Sequence, residues 1–84
     1  MAVIKAAILG FGTVGQGIYH ILNEKREELR KKLGVELEVT KILVRDTSHE
    51  RVPGTKHLLT DNMDDVLAEK GMQVVFEAIV NEEP

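Results

Sequence analysis

The stretch that decides the fold is Val3 to Gly15, which reads VIKAAILGFGTVG. Val3 to Leu9 is aliphatic with only Lys5 interrupting it, which is typical of a strand buried on both faces. Gly10 ends this strand, and Val14 begins a segment whose apolar residues recur at helical spacings. The sequence therefore predicts a strand, a glycine turn and a helix in direct succession.

The rest of the chain continues this alternation. Apolar residues keep the helical spacing as far as Leu33, and Gly34 is placed to close one long helix. Leu37 to Val44 predicts a second strand, and Gln73 to Val80 predicts a third. Between these two strands, a short helix is expected around Val66.

The polar segment from Asp46 to Thr60 contains Pro53-Gly54 and shows no periodicity. It is either a functional loop or a degraded strand around His57 to Leu59, and we favour the loop. The expected fold is therefore α/β, a partial Rossmann βαβαβ unit with three layers, a parallel sheet and the first strand at its centre. No second domain boundary is visible within residues 1–84.

Length and composition exclude several classes of protein. The chain has 84 residues, 11 Lys and Arg against 14 Asp and Glu, and a net charge of −3. A multidomain enzyme does not fit this length, and the dispersed basic residues argue against nucleic-acid binding. No apolar run approaches the roughly 20 residues of a membrane span. Since cysteine is absent, the default expectation is a soluble cytoplasmic protein.

Gly10, Gly12 and Gly15 form the pattern G-x-G-x-x-G between a buried strand and a helix, which is the context of the dinucleotide fingerprint. Gly10 suits the tight turn, Gly12 the close approach of a diphosphate, and Gly15 close packing of helix on strand. The helix N-terminus and the Thr13 hydroxyl would add donors for that diphosphate. The alternative is that these glycines only end a strand and begin a helix.

The second strand ends at Arg45-Asp46, where the adenosine ribose of such a ligand is expected. Arg45 is suited to a ribose 2′-phosphate, whereas Asp46 is suited to unphosphorylated ribose hydroxyls. We favour NADP over NAD, because Arg45 is the first polar residue after the strand. Lys56 is a candidate second cation, although both basic residues also fit a solvated surface.

No other group of residues indicates catalysis. The three histidines lack metal-ligand spacing, so no metal site is expected. No nucleophile with its general base can be assigned, and no acid–base pair stands out. We therefore name no catalytic residue in this chain.

Three segments resemble homoserine dehydrogenase. They are Lys5 to Gly15 (KAAILGFGTVG), Lys41 to Asp46 (KILVRD) and Val74 to Pro84 (VVFEAIVNEEP). The resemblance implies an NAD(P)-dependent oxidoreductase that interconverts L-homoserine and L-aspartate 4-semialdehyde. It also implies that residues 1–84 form the N-terminal half of a dinucleotide-binding domain.

The resemblance further implies roles for single residues. Phe11, Thr13 and Val14 would line the phosphates of the coenzyme, and Arg45, with Lys56, would meet its adenosine ribose. There is one departure, since the family usually has a glycine pair where this chain has Val80-Asn81.

The family also has a substrate domain with a catalytic lysine and acidic residues, none of which has a counterpart here. We therefore expect no dehydrogenase activity from the chain alone. A non-catalytic Rossmann-like structural or oligomerisation module is the alternative, as a natural remnant or a designed fragment. In either case the bare edge of the strand at residues 73–80 predicts a homo-oligomer.

Overall fold

Strands and helices alternate along the chain, as an α/β fold requires. A computed structural model describes residues 2–79. The elements are β1 (Ala2–Leu9), α1 (Thr13–Glu24), α2 (Arg26–Leu33), β2 (Val35–Leu43), β3 (Leu59–Thr60), α3 (Met63–Ala68) and β4 (Met72–Glu77). One turn of 3₁₀ helix, Lys56–Leu58, directly precedes β3. None of the helices within residues 2–79 is long and apolar enough to cross a bilayer.

The strands form one parallel sheet in the order β3-β2-β1-β4. The predicted central position of β1 is therefore confirmed. Leu9 at the end of β1 lies opposite Leu43 of β2 on one side and Glu77 of β4 on the other. The carboxyl ends of these three strands consequently meet at one edge of the sheet.

Side chains on the two faces of β1 enter separate apolar clusters, because successive residues of a strand point to opposite faces. Ile8 is fully buried on one face and packs with Ile42, with Tyr19 of α1 against this cluster. Ala7 and Leu9 pack with Val66 of α3 in the second cluster. Helices therefore cover both faces of the sheet, which confirms the three-layer architecture.

The predicted long helix is interrupted. Lys25 has φ −94° and ψ 6°, and it separates α1 from α2. No residue of α2 is fully buried, although α2 lies against β2 and Arg26 pairs with Glu36 there. Gly34 ends α2 with φ 70°, in the left-handed conformation expected for the residue that closes a helix.

The polar segment before α3 is not entirely loop, and our preference for a loop there is wrong at Leu59 and Thr60. Leu59–Thr60 forms β3 beside Ile42 and Leu43 of β2. The N–H of Val44 donates to the carbonyl of Thr60 at 2.8 Å, which extends this pairing by one residue. Leu59 packs against the larger apolar cluster, so tertiary packing stabilises a strand too short to show periodicity.

The last strand is shorter at its carboxyl end than predicted. β4 ends at Glu77, although the Ala78 N–H still donates to the Leu9 carbonyl at 2.8 Å. The predicted strand extended to Val80, which lies outside the described residues. β4 is the outer strand of the sheet in the part of the chain that the structure describes.

Candidate functional site

The glycine turn lies at the carboxyl end of β1, at the centre of the sheet edge. Gly10 has φ 94°, which side chains of L-residues rarely adopt, and its N–H donates to the Leu43 carbonyl at 2.9 Å. A Cβ on Gly10 would lie 3.0 Å from both the Ala78 carbonyl oxygen and Ile79 Cγ1. Backbone conformation and close contact therefore both require glycine at this position.

Gly15 brings α1 close to β1. It is the one buried residue of α1, and a Cβ there would overlap the Gly10 carbonyl oxygen. The close packing of helix on strand that the glycine pattern predicts is therefore observed. This contact sets the position of the helix N-terminus over the end of the strand.

The N-terminus of α1 has no side-chain cap and no acidic residue in its first turn. Its first helical hydrogen bond runs from the Gln16 N–H to the Gly12 carbonyl at 2.9 Å. The amides of Gly12, Thr13, Val14 and Gly15 therefore have no partner within the helix. Because the helix dipole is positive at this end, these amides form a suitable place for an anion.

The three side chains expected at this turn differ in exposure. The Val14 side chain is 45% exposed, and Thr13 is also exposed. Phe11 is only 3% exposed, and its ring meets that of Tyr19 edge-on at 5.9 Å between centroids. The Phe11 ring therefore belongs to the core, and only the main chain of Phe11 lies at the turn.

Arg45 and Asp46 follow buried Val44 at the same edge of the sheet, and both are exposed. Asp46 Oδ1 accepts hydrogen bonds from the Ser48 N–H at 3.0 Å and from Ser48 Oγ at 2.6 Å. The hydrogen bond from the Ser48 hydroxyl is the main cause that lowers the pKa of Asp46 below its ordinary value of 3.8. Asp46 is thus an anion whose Oδ1 already accepts two hydrogen bonds from Ser48. The residue before it, Arg45, is a cation.

Lys56 is held by a different arrangement. Glu50 Oε2 accepts the Lys56 N–H at 3.0 Å and the Gly54 N–H at 2.9 Å, so one carboxylate orders this part of the loop. The Lys56 side chain is exposed. Lys56 precedes β3, whose Leu59 lies beside Ile42, whereas Arg45 follows β2. Because Arg45 follows β2, it lies at the edge of the sheet that holds the glycine turn. Lys56 precedes β3, so the strand order does not place it at that edge.

Three contributors at this edge were missed by the sequence reasoning. Gln16 Nε2 donates to the Phe11 carbonyl at 2.9 Å, Glu50 orders the loop before β3, and Ala78 closes over Gly10. The sequence carries no signal for Gln16 or Glu50, because each acts on main-chain atoms brought near it by the turn. Ala78 contacts Gly10 through its main chain, so its side chain gave no sign of this contact either.

No group of three or more potential metal ligands occurs in residues 2–79. The segment Val80-Asn81, where the chain departs from the resemblance, lies outside the described residues.

The sheet order, the helices on both faces and the glycine turn at the carboxyl edge define a Rossmann-like α/β unit. No family model matches the chain. The chain is 33% identical over 84 residues to a homoserine dehydrogenase of Lactococcus lactis. The matched region covers 96% of this chain and 20% of that protein. The chain is 34% identical over 80 residues to a homoserine dehydrogenase of Bacillus subtilis, covering 94% of this chain and 18% of the relative.

Solved structures agree with these relatives. The crystal structure of Staphylococcus aureus homoserine dehydrogenase at pH 8.5 has a TM-score of 0.88 and 30% identity, and it covers 100% of this chain and 21% of its own. The structure of that enzyme at pH 6.0 has a TM-score of 0.86 and 31% identity. The predicted resemblance to homoserine dehydrogenase is thus confirmed in sequence and in fold. The chain spans about one fifth of the length of these relatives.

Proposed function

We propose that this chain binds a nicotinamide dinucleotide through its glycine turn, as the N-terminal half of a dinucleotide-binding domain. The observation that carries the proposal is the uncapped N-terminus of α1, set by the Gly15 contact at the carboxyl edge of a parallel sheet. Ligands of open α/β sheets bind at this edge. The similarity to homoserine dehydrogenase supports the same class of ligand.

The diphosphate of the coenzyme would lie against the amides at the start of α1. The contacting groups are the main-chain atoms of Gly10, Phe11, Gly12, Thr13, Val14 and Gly15, with the Thr13 hydroxyl. Charge–dipole attraction and hydrogen bonds from these amides make a basic side chain unnecessary at this point.

NADP is the preferred coenzyme in this proposal. Arg45 is exposed and follows β2 at the edge of the sheet that holds the glycine turn, and a guanidinium fork binds a phosphate through two hydrogen bonds. Asp46, the acceptor suited to an unphosphorylated ribose, already uses Oδ1 to bind Ser48. We assign exposed Lys56 as the second cation for the same phosphate.

The reaction we propose for the whole protein is hydride transfer between this coenzyme and the L-homoserine/L-aspartate 4-semialdehyde pair. The 84 residues would hold the coenzyme for that reaction, and we assign no catalytic residue among them. We expect the chain alone to bind coenzyme without turnover, so NADPH oxidation with aspartate semialdehyde would contradict this division of roles.

A structural module is the second candidate, because packing alone requires glycine at positions 10 and 15. In that case the turn serves only to join β1 to α1. Titration with NADPH and NADH separates the candidates, because a ligand specific for the folded state raises its melting temperature. An unchanged melting temperature with both coenzymes would favour the structural module.

We also propose that the chain self-associates through β4. This strand is the outer one among the described residues, and its Val75 is 47% exposed. Ile79, just after the strand, is 56% exposed. An apolar edge strand of this kind pairs readily with a second copy.

Arg45→Gln tests the coenzyme assignment. We expect the NADPH dissociation constant to rise roughly 10- to 100-fold, because a hydrogen bond to a charged group contributes about 1.5–3 kcal/mol. The NADH dissociation constant should not change, since NADH lacks the 2′-phosphate. Isothermal titration or fluorescence would give both constants.

Arg51→Gln is the matched control for that experiment. It removes the same charge from the same loop, where Arg51 donates to the His49 carbonyl at 3.3 Å. We expect little change in the affinity for either coenzyme. If both variants lost NADPH affinity equally, the cause would be the lower positive charge of the loop. A specific contact of Arg45 with the 2′-phosphate would then be excluded.

A further inference from the structure

The side chain of Gln16 reaches back from the first turn of α1 to the glycine turn. Its Nε2 donates to the Phe11 carbonyl at 2.9 Å, in a partly buried position. Its own N–H donates to the Gly12 carbonyl at 2.9 Å. Gln16 thus donates to the carbonyl of Phe11 and to the carbonyl of Gly12 itself, although it lies outside the glycine pattern.

The first of these hydrogen bonds fixes the orientation of one peptide group. A carbonyl oxygen only accepts, so the Gln16 amide must present its NH₂ to Phe11. The peptide between Phe11 and Gly12 is trans, as are all those described, so its C=O and N–H point in opposite directions. Holding the Phe11 oxygen toward Gln16 therefore directs the Gly12 N–H away from Gln16.

The residues on either side permit this peptide group to rotate. Gly12 has no Cβ, so its φ angle can vary over a wide range. The Phe11 ring is buried against Tyr19, which fixes the side chain of Phe11 but leaves the following peptide plane able to rotate. A hydrogen bond to the Phe11 oxygen opposes that rotation directly.

We propose that Gln16 is a positioning residue for the diphosphate of the coenzyme, acting through the Gly12 amide. The inference rests on the proposed coenzyme binding. Gln16 holds the Gly12 N–H pointing away from itself before the ligand arrives, so binding does not need to order this amide. We expect Gln16 to contribute equally to the affinity for every ligand with a diphosphate. This contribution does not depend on the 2′-phosphate, which Arg45 would bind.

Gln16→Met is the test, since methionine has a similar length and no donor. We expect the dissociation constants of NADPH and NADH to rise by the same factor, roughly 3- to 10-fold, the range for losing one neutral hydrogen bond. The ratio of the two constants should stay at its wild-type value. Gly17→Ala is the control, because a Cβ at Gly17 meets nothing within 4 Å.

A second measurement follows the amide without any ligand. Residual dipolar couplings of the Gly12 N–H, compared with those of α1, report its direction relative to the helix. In the wild type we expect one fixed direction, and in Gln16→Met a reduced coupling from an amide that rotates. The couplings of α1 should stay unchanged, which separates a rotating peptide from a disturbed helix.

The outcomes distinguish this inference from the proposed function. An unchanged Gly12 coupling in Gln16→Met would overturn the positioning role, whether or not coenzyme binds. Equal coenzyme affinity in the variant and the wild type would also overturn it. A wild-type chain that binds neither coenzyme would instead overturn the proposed function, and the role of Gln16 toward a diphosphate with it.

Discussion

Glycine residues of this chain differ in what they do, even within one helix. Gly15 lies where α1 meets β1, and a Cβ there would overlap the Gly10 carbonyl oxygen. Gly17 lies two residues further along α1, where a Cβ would meet nothing within 4 Å. The first glycine is required by packing, whereas the second only weakens the helix.

Gly15→Ala should therefore destabilise the protein by roughly 1–3 kcal/mol, the usual cost of forcing extra atoms into a packed contact. Gly17→Ala should stabilise it by about 0.5–1 kcal/mol, because alanine loses less backbone entropy on folding into a helix. Urea denaturation followed by circular dichroism gives both free energies of unfolding. Equal effects of the two substitutions would show that the contact at Gly15 is not restrictive.

At the scale of elements, the loop before β3 depends on one exposed carboxylate. Glu50 accepts N–H groups from Gly54 and Lys56, and the 3₁₀ turn Lys56–Leu58 follows at once. Further inside the loop, Thr55 is fully buried and its hydroxyl donates to the Val52 carbonyl at 2.6 Å. The loop is thus fixed by hydrogen bonds on its outer side and by buried residues on its inner side.

Glu50→Ala should speed hydrogen exchange of the Gly54 and Lys56 amides by several-fold to roughly tenfold, since each loses its acceptor. Glu50→Gln retains a weaker, neutral acceptor and should give an intermediate result. NMR would measure the exchange rate of each amide. The Leu58 N–H is the internal control, because it donates to the Thr55 carbonyl at 2.9 Å and not to Glu50. Similar acceleration at all three amides would indicate that the whole loop opens, contrary to our prediction.

At the scale of the whole molecule, the sheet is protected unevenly at its two outer strands. On one side the two-residue β3 borders the carboxyl end of β2. On the other side β4 alternates half-buried and exposed residues, and Val75 is an exposed apolar residue on it. Short or charged edge strands resist association, and β4 is neither very short nor strongly charged.

Val75→Lys should therefore weaken self-association. We expect the wild type to show twice the mass of one chain by light scattering at micromolar concentrations, and the variant to show the mass of one chain. Gln73→Lys adds the same charge at an exposed polar position of β4 and should leave association largely intact. A wild type that stays monomeric over this concentration range would exclude pairing through β4.

Local patterns were sufficient to predict much of the fold. The aliphatic run before Gly10 predicted the buried central strand, and Gly34 predicted the end of the second helical segment. Asn62 caps α3, accepting the Asp64 N–H at 2.9 Å, and asparagine is the kind of side chain preferred at the start of a helix. Each of these features depends on residues close together in sequence, so periodicity and capping preferences reveal them.

Other features depended on contacts between distant residues. β3 has two residues, and its pairing with Ile42 and Leu43 of β2 is what makes it a strand. The apolar spacing continues across Lys25, so the break there has no counterpart in the sequence pattern. Phe11 was predicted to line the phosphates, a prediction that did not say which of its atoms would do so, and the fold places its ring in the core and its main chain at the turn.

The amino-acid sequence alone determined the order of strands and helices, the place of the glycine turn and the similarity to homoserine dehydrogenase. Each of these depends on residues that are close together in the sequence. Tertiary structure alone decided which groups gather at that turn. Gln16 meets the Phe11 oxygen, Ala78 closes over Gly10, and Arg45 comes to the same edge, since parallel strands from separate parts of the chain end side by side.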